Sequence, residues 1–256
     1  SGEQDFSMVT LLHEYTHFFV ISTSSLPSPR WLGEGAAEFF SSAGFPASGG
    51  IEIGMPAYHR AGELFGAQNV TVQQLLDPAY DANGSHLGVD AFYGKSWLLY
   101  HYLTLGGTRR GQMAKYIGLL AKGEGSLQAG HDAFGDFKQL DRELDKYLNQ
   151  SKMSDFVFAA DKLPIGAVTV RRLNDGEQDI MPDVIRTRVG ETADMAKAVI
   201  DDVQKAVAKY PKNAAVLTEF AEAQCDAGNN DAAVAAADAA LALDPKLTRA
   251  YYQKGR

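Results

Sequence analysis

Apolar residues recur along this chain mostly at helical spacing. The first strong pattern runs from a Ser7 cap to about Val20. It carries Met8, Leu11, Leu12, Tyr15, Phe18 and Phe19 around most of its circumference, which predicts a helix buried on nearly every side. A short polar stretch, Ser22 to Pro27, leads to a second pattern that ends near Gly44. Ser28 caps it and Pro29 takes its first position, where the missing N–H has no intrahelical partner to lose. Trp31, Leu32 and Phe39 give this helix a buried face. From Ser48 to Asp90 the pattern loosens. Ile51 and Ile53 among glycines predict a short strand, Ala57 to Phe65 a short helix, and Thr71 caps another through Leu76 that Asp77-Pro78 ends. Residues 81–90 read as a loop. A third strong helix, from Phe92 to Leu103 and closed by Gly106-Gly107, is apolar almost all round and so predicted to be buried. Amphipathic helices follow over 112–121, 127–134 and 137–148, then a weakly alternating stretch over 168–173 that predicts a short strand.

The last part changes character. It is alanine-rich and repeats: Pro211 and Pro245, Ala206 and Ala240, and Val199 and Ala233 each stand 34 positions apart. That is the period of a tetratricopeptide repeat, a helical hairpin stacked on its neighbours. Leu217, Phe220 and Ala221 fall on the first helix, Gly228 at the turn, and Ala233, Ala237 and Ala240 on the second. The fold expected is therefore mainly α, with little strand. A helical core spans 1–160, a linker with a short strand 161–190, and repeats 191–256. The core and the repeat array both read as cut from a longer chain.

Composition narrows the function classes. Hydrophobic residues at 45% and charged residues at 22% are those of an ordinary globular chain. A formal charge of -8 with no basic run argues against nucleic acid as a partner. No apolar run reaches membrane-spanning length. The single cysteine, Cys225, excludes an internal disulfide framework and a cysteine-based zinc knuckle.

The chemistry is concentrated in His13-Glu14-Tyr15-Thr16-His17. Residues four apart share one face of a helix, so His13 and His17 can aim ring nitrogens at one point. Two imidazoles at this spacing suit a zinc ion, and the adjacent Glu14 can take a proton from a metal-activated water. The short connection returns the second helix beside the first, where Glu34 can supply a third ligand. Glu38, one turn on, can accept a hydrogen bond from a ligand histidine, or be an ordinary solvated carboxylate. Tyr93, at the start of the third strong helix, is either an oxyanion donor or a packing aromatic. His86, in the loop before it, reads as a surface histidine.

Together these residues resemble a gluzincin metallopeptidase. Trp31-Leu-Gly-Glu34-Gly-Ala-Ala-Glu-Phe is similar to the third-ligand helix of the aminopeptidase N type, and Tyr93-Gly-Lys-Ser-Trp-Leu-Leu resembles the segment that carries that family's oxyanion tyrosine. The closer likeness is to the bacterial peptidase MA-like group, in which such a core precedes tetratricopeptide repeats. It covers residues 8 to 105 and the repeats. The resemblance implies a gluzincin-type helical core with a Zn2+ cofactor held by His13, His17 and Glu34. It also implies Glu14 as general base, Tyr93 as oxyanion donor, a peptide or protein substrate, and an exported or periplasmic location. Three features depart from the family. The stretch from His17 to Glu34 is shorter than in the aminopeptidases, and neither their Gly-x-Met-Glu-Asn motif nor the sheet that precedes their zinc helix is in this chain. The competing expectation is a scaffold with a structural or vestigial metal site, binding a peptide or partner protein through its repeats.

Overall fold

The computed structural model describes residues 5–24, 28–47, 49–82, 90–163, 166–189 and 192–256. The fold is mainly α and divides into two compact units, Ser1–Ile165 and Gly166–Arg256. No helix among the described residues is long and apolar enough to cross a membrane.

The first unit opens with α1 (Phe6–Thr23), capped by Asp5 rather than Ser7, the Asp5 carboxylate accepting from the Ser7 N–H at 3.0 Å. Helix α2 (Arg30–Ser41) has Pro29 as its N-cap, one position before the place the sequence predicts. Strand β1 (Ile51–Ile53) follows, then a 3-10 turn (Tyr58–Arg60) and three short helices: α3 (Ala61–Gly66), α4 (Val72–Leu76) and α5 (Pro78–Ala82). Thr71 and Gln74 form a reciprocal capping box at the start of α4. Four longer helices complete the unit: α6 (Phe92–Leu105), α7 (Gln112–Leu120), α8 (Ser126–Phe134) and α9 (Phe137–Leu148). Strand β2 (Phe156–Phe158) pairs antiparallel with β1, Glu52 opposite Val157.

The core of this unit lies where α2 and α6 pack on α4, α7, α8 and α9, with Trp31, Phe92, Trp97, Leu98, Tyr116 and Leu140 fully buried. Several polar groups taken inside are paired, as burial favours, while Ser96 Oγ and Trp97 Nε1 are not. The Trp31 indole donates to the Tyr116 hydroxyl at 3.0 Å, which in turn bonds Ser126 at 2.8 Å. His101 meets the Gly54 carbonyl through Nε2 at 2.7 Å and the Tyr147 hydroxyl through Nδ1 at 2.8 Å. Burial holds its pKa below the usual histidine value, so it is a neutral structural residue.

Helix α6 is buried as its pattern predicts. Helix α1 is not. Only Val9 and Thr16 are buried, while Met8, Leu11, Tyr15, Phe18 and Phe19 are exposed. An apolar circumference states what a helix would gain from being covered. It does not supply the cover, and here α1 rests on α2 along one side only.

In the second unit the stretch 168–173, expected as a strand, forms no regular element and pairs in no ladder among the described residues. The region read as a linker instead contains α10 (Asp175–Asp179), capped by Asn174 and Glu177, and α11 (Met181–Val189). Helices α12 (Ala193–Lys209), α13 (Ala214–Asp226), α14 (Asn230–Leu243) and α15 (Thr248–Gly255) follow, each packed against the next. Helices α13 and α15 begin 34 positions apart. Val203 and Ala237, in the same relation, are both fully buried. Gly228, with φ of 79°, makes the turn between α13 and α14.

Candidate metal centre

The facing sides of α1 and α2 bring His13, His17 and Glu34 together. Among the described residues they are the one group of three histidine, cysteine or acidic side chains whose ligand atoms converge. The His13 and His17 Nε2 atoms stand 3.1 Å apart, and each lies 3.3 Å from Glu34 Oε2. The two rings meet edge to face, with centroids 4.7 Å apart. Zinc bonds to nitrogen and oxygen at about 2.0–2.2 Å, and three ligand atoms on one face of a tetrahedral ion then stand about 3.3–3.5 Å from one another. Two edges of the observed triangle match that spacing and the third is slightly shorter. Glu34 Oε2 is also buried without a hydrogen-bond partner. A buried carboxylate oxygen costs free energy unless something meets it, and a cation at the centre of this triangle would. The donor set therefore fits zinc. The side chains keep 14% (His13), 27% (His17) and 15% (Glu34) of their surface exposed, so the triangle faces solvent on one side.

Glu38 stands behind His13. Its side chain is fully buried, with Oε1 3.2 Å from His13 Nδ1, so it is not the solvated carboxylate its position also allowed. A proton on Nδ1 shared with Glu38 leaves Nε2 to face the triangle, which sets the ring's tautomer and direction. Glu38 is in turn held by His59 Nε2 at 2.6 Å and Arg60 Nη2 at 2.5 Å, from the 3-10 turn after β1. Burial works against its charge. His13, His59 and Arg60 outweigh that and keep its pKa far below the usual carboxylate range. Glu34 is likewise held low by His13, His17 and Arg30, against its own burial. Burial disfavours the His13 imidazolium, yet Glu34 and Glu38 together raise its pKa to about 9.

Glu14 is exposed on α1 between the two histidines. Tyr93 is half-buried at the first turn of α6. Its hydroxyl accepts a hydrogen bond from Arg30 Nη2 at 3.0 Å, and Arg30 Nε lies 3.6 Å from Glu34 Oε1. Tyr93 thus stands one residue removed from the ligand triangle, linked to it through Arg30. His86 lies outside the described residues.

Four neighbours of the triangle escape a reading of the sequence: Arg30, His59, Arg60 and Glu63. Only the two charges in Arg30-Trp-Leu-Gly-Glu34, spaced four apart on a helix, carry a local signal. The other three lie in the short helical stretch predicted over Ala57 to Phe65, which carries no local sign of what it faces. No family model, curated protein or solved structure matches the chain.

Proposed function

We propose that this chain is a zinc-dependent peptidase whose substrate is a peptide or protein. The observation that carries the reading is the ligand triangle, with zinc-like spacing and a buried, unmet carboxylate oxygen on Glu34. His13, His17 and Glu34 would hold the ion on the solvent-facing side of α1 and α2. Zinc bound there would supply Lewis acidity, bringing the pKa of water to about 7 and polarising a carbonyl.

The remaining steps belong to the chain's own groups. Glu14 accepts the proton of the attacking water and delivers it to the leaving amine nitrogen. Its exposure suits a group that must meet both water and substrate. The Tyr93 hydroxyl donates to the carbonyl oxygen as negative charge gathers there, and Arg30 holds the phenol for that task. Glu38 keeps the His13 ring turned so that Nε2 serves the ion. The repeat unit is assigned a protein-binding role, and the location is assigned outside the bacterial cytoplasm.

A second reading is a scaffold in which the ion clasps α1 to α2 and the repeats bind a partner protein. The uncovered apolar side of α1 favours it, since a partner could complete that surface. Zinc stoichiometry, measured with cleavage of a mixed peptide pool before and after chelation, separates the two. One zinc per chain with cleavage that chelator abolishes and zinc restores is the expected result. Bound zinc without cleavage supports the scaffold. Glu14→Gln should retain zinc and lose turnover by at least about a hundredfold, and an unchanged rate would remove Glu14 from the mechanism.

A further inference from the structure

The carboxylate of Glu38 is entirely enclosed, and a guanidinium is one of the three groups that hold it, with His13 and His59. Arg60 meets Glu38 Oε1 through Nη2 at 2.5 Å and Glu63 Oε1 through Nη1 at 2.6 Å. The other Glu63 oxygen accepts from the Gly94 N–H at 3.0 Å, one of the amides in the first turn of α6 that has no partner within its helix. The Arg60 guanidinium carbon also lies 4.8 Å from the centroid of the Tyr93 ring, within cation–π range. Arg60 is therefore braced on one side by α6, through Glu63 and Tyr93. On the other side it grips the carboxylate that orients a metal-ligand histidine.

We infer that Arg60 is a positioning residue for the metal centre: by clamping Glu38, it fixes the direction in which His13 presents Nε2 to the ion. This rests on the zinc-site reading above. A planar fork can serve two carboxylates at set angles and lie flat on an aromatic ring, which an ammonium cannot do. Without the fork, Glu38 keeps His59 as its partner but loses the contact that sets its rotation, and His13 loses the fixed direction of its Nδ1 bond. Groups that orient a ligand histidine typically govern metal affinity by about 10–100-fold. The Tyr93 ring has a part here separate from that of its hydroxyl, as the surface Arg60 lies on.

The test reads metal binding directly. Zinc affinity by chelator competition and the visible spectrum of the cobalt-substituted chain are measured for wild type, Arg60→Ala, Arg60→Lys, Tyr93→Phe and Tyr93→Leu, with unfolding midpoints alongside. Arg60→Ala should weaken zinc binding by about 10–100-fold and shift the cobalt bands. Arg60→Lys should fall between, about three- to tenfold weaker, because it restores the charge without the fork. Tyr93→Phe, which keeps the ring, should bind zinc as wild type does, whereas Tyr93→Leu should weaken it a few fold. A residue that merely supports the fold would lower the unfolding midpoints without altering the cobalt spectrum or separating Phe from Leu.

Wild-type affinity and spectrum in Arg60→Ala overturn the inference. Should that variant not fold, Arg60→Lys decides in its place, and unchanged binding there overturns it equally. Wild type that binds no zinc overturns both this inference and the functional reading. Zinc binding that depends on Arg60 in a chain that cleaves no peptide overturns the peptidase reading alone.

Discussion

Helices α1 and α2 share one candidate metal centre and are built on opposite terms. Seven of the twelve residues of α2 are buried, among them Trp31 and Phe39. Of the eighteen residues of α1, two are. Both sequences are rich in apolar residues, and α1 is the more uniformly apolar. What separates them is access to a partner. Gly35 gives α2 a thin spot on which α6 can lie. A Cβ at position 35 would stand 2.7 Å from the Ser96 carbonyl oxygen of α6, so the approach requires glycine. Helix α1 carries bulky side chains all round and packs along one line on α2. The centre is thus half anchored in a packed core and half carried by a helix with little packing of its own.

The sharpest way to break this contrast is to truncate one large apolar residue on each helix. Trp31→Ala removes a fully buried indole and its hydrogen bond to Tyr116, and should cost about 3–5 kcal/mol. Phe18→Ser alters a ring that is 66% exposed and should change stability by no more than about 0.5 kcal/mol. Denaturant midpoints of the two variants measure the difference. A Phe18→Ser loss comparable to that of Trp31→Ala would mean that α1 is covered in solution.

How far the molecule was legible beforehand follows the same line. Whatever depends on spacing along the chain is visible in the sequence: the His13–His17 pair, Glu34 and Glu38 a turn apart, the extent of α6, and the 34-position rhythm of the last helices. Whatever depends on which surface meets which is not. The apolar ring of α1 predicts burial that the fold does not provide. The alternation of 168–173 predicts a strand, but a strand needs a neighbour and none pairs with it. Helix α11 lacks a strong apolar stripe and reads as linker. His59 and Arg60 are ordinary polar residues until the chain after β1 brings them against Glu38, a contact between positions 21 and 22 residues apart.

The next largest effect expected comes from the ion itself. A ligand that binds only the folded chain stabilises it by about 2.7 kcal/mol at a hundred times its dissociation constant. Two of the three ligands lie on α1, so the gain should be concentrated there. Hydrogen exchange with and without zinc should show protection rising most in the amides of α1 and least in the already packed α2. Uniform protection across both helices would mean that α1 needs no clasp.

A smaller effect sharpens the account of α2. Gly35→Ala forces a methyl group against the Ser96 carbonyl and should destabilise by about 1–3 kcal/mol. Gly33 lies in the same helix with nothing within 4 Å of an added Cβ. Gly33→Ala should therefore stabilise, by about 0.4–1 kcal/mol, through its smaller loss of backbone freedom on folding. Opposite signs at two glycines flanking a metal ligand would confirm that the α2–α6 approach, and not helix propensity, dictates residue 35.

A further effect follows from protonation on the α1 side. The ion-free His13 pKa is raised from 6.5 to about 9, burial opposing the charge and Glu34 and Glu38 prevailing. A group whose folded pKa is raised contributes stability that is fully present below its unfolded pKa. For His13 that contribution is intact below about pH 6.5 and is lost as pH rises through about 9. Zinc requires the neutral imidazole, so proton and ion compete for the same nitrogen. Between about pH 7 and 9 the ion-free chain should lose stability while apparent zinc affinity rises, by at most about tenfold per pH unit for one proton displaced. The zinc-induced increase in unfolding temperature should accordingly grow across that window and level off above it. Histidine-to-glutamine substitution at position 13 would remove the dependence along with the ligand, whereas Glu38→Gln should shift the window towards lower pH by removing one of the charges that raises the His13 pKa. A zinc-induced increase that is flat from pH 7 to 9 in the wild type would mean that His13 is already neutral there, and that the carboxylates of α2 do not hold the proton which the ion has to displace.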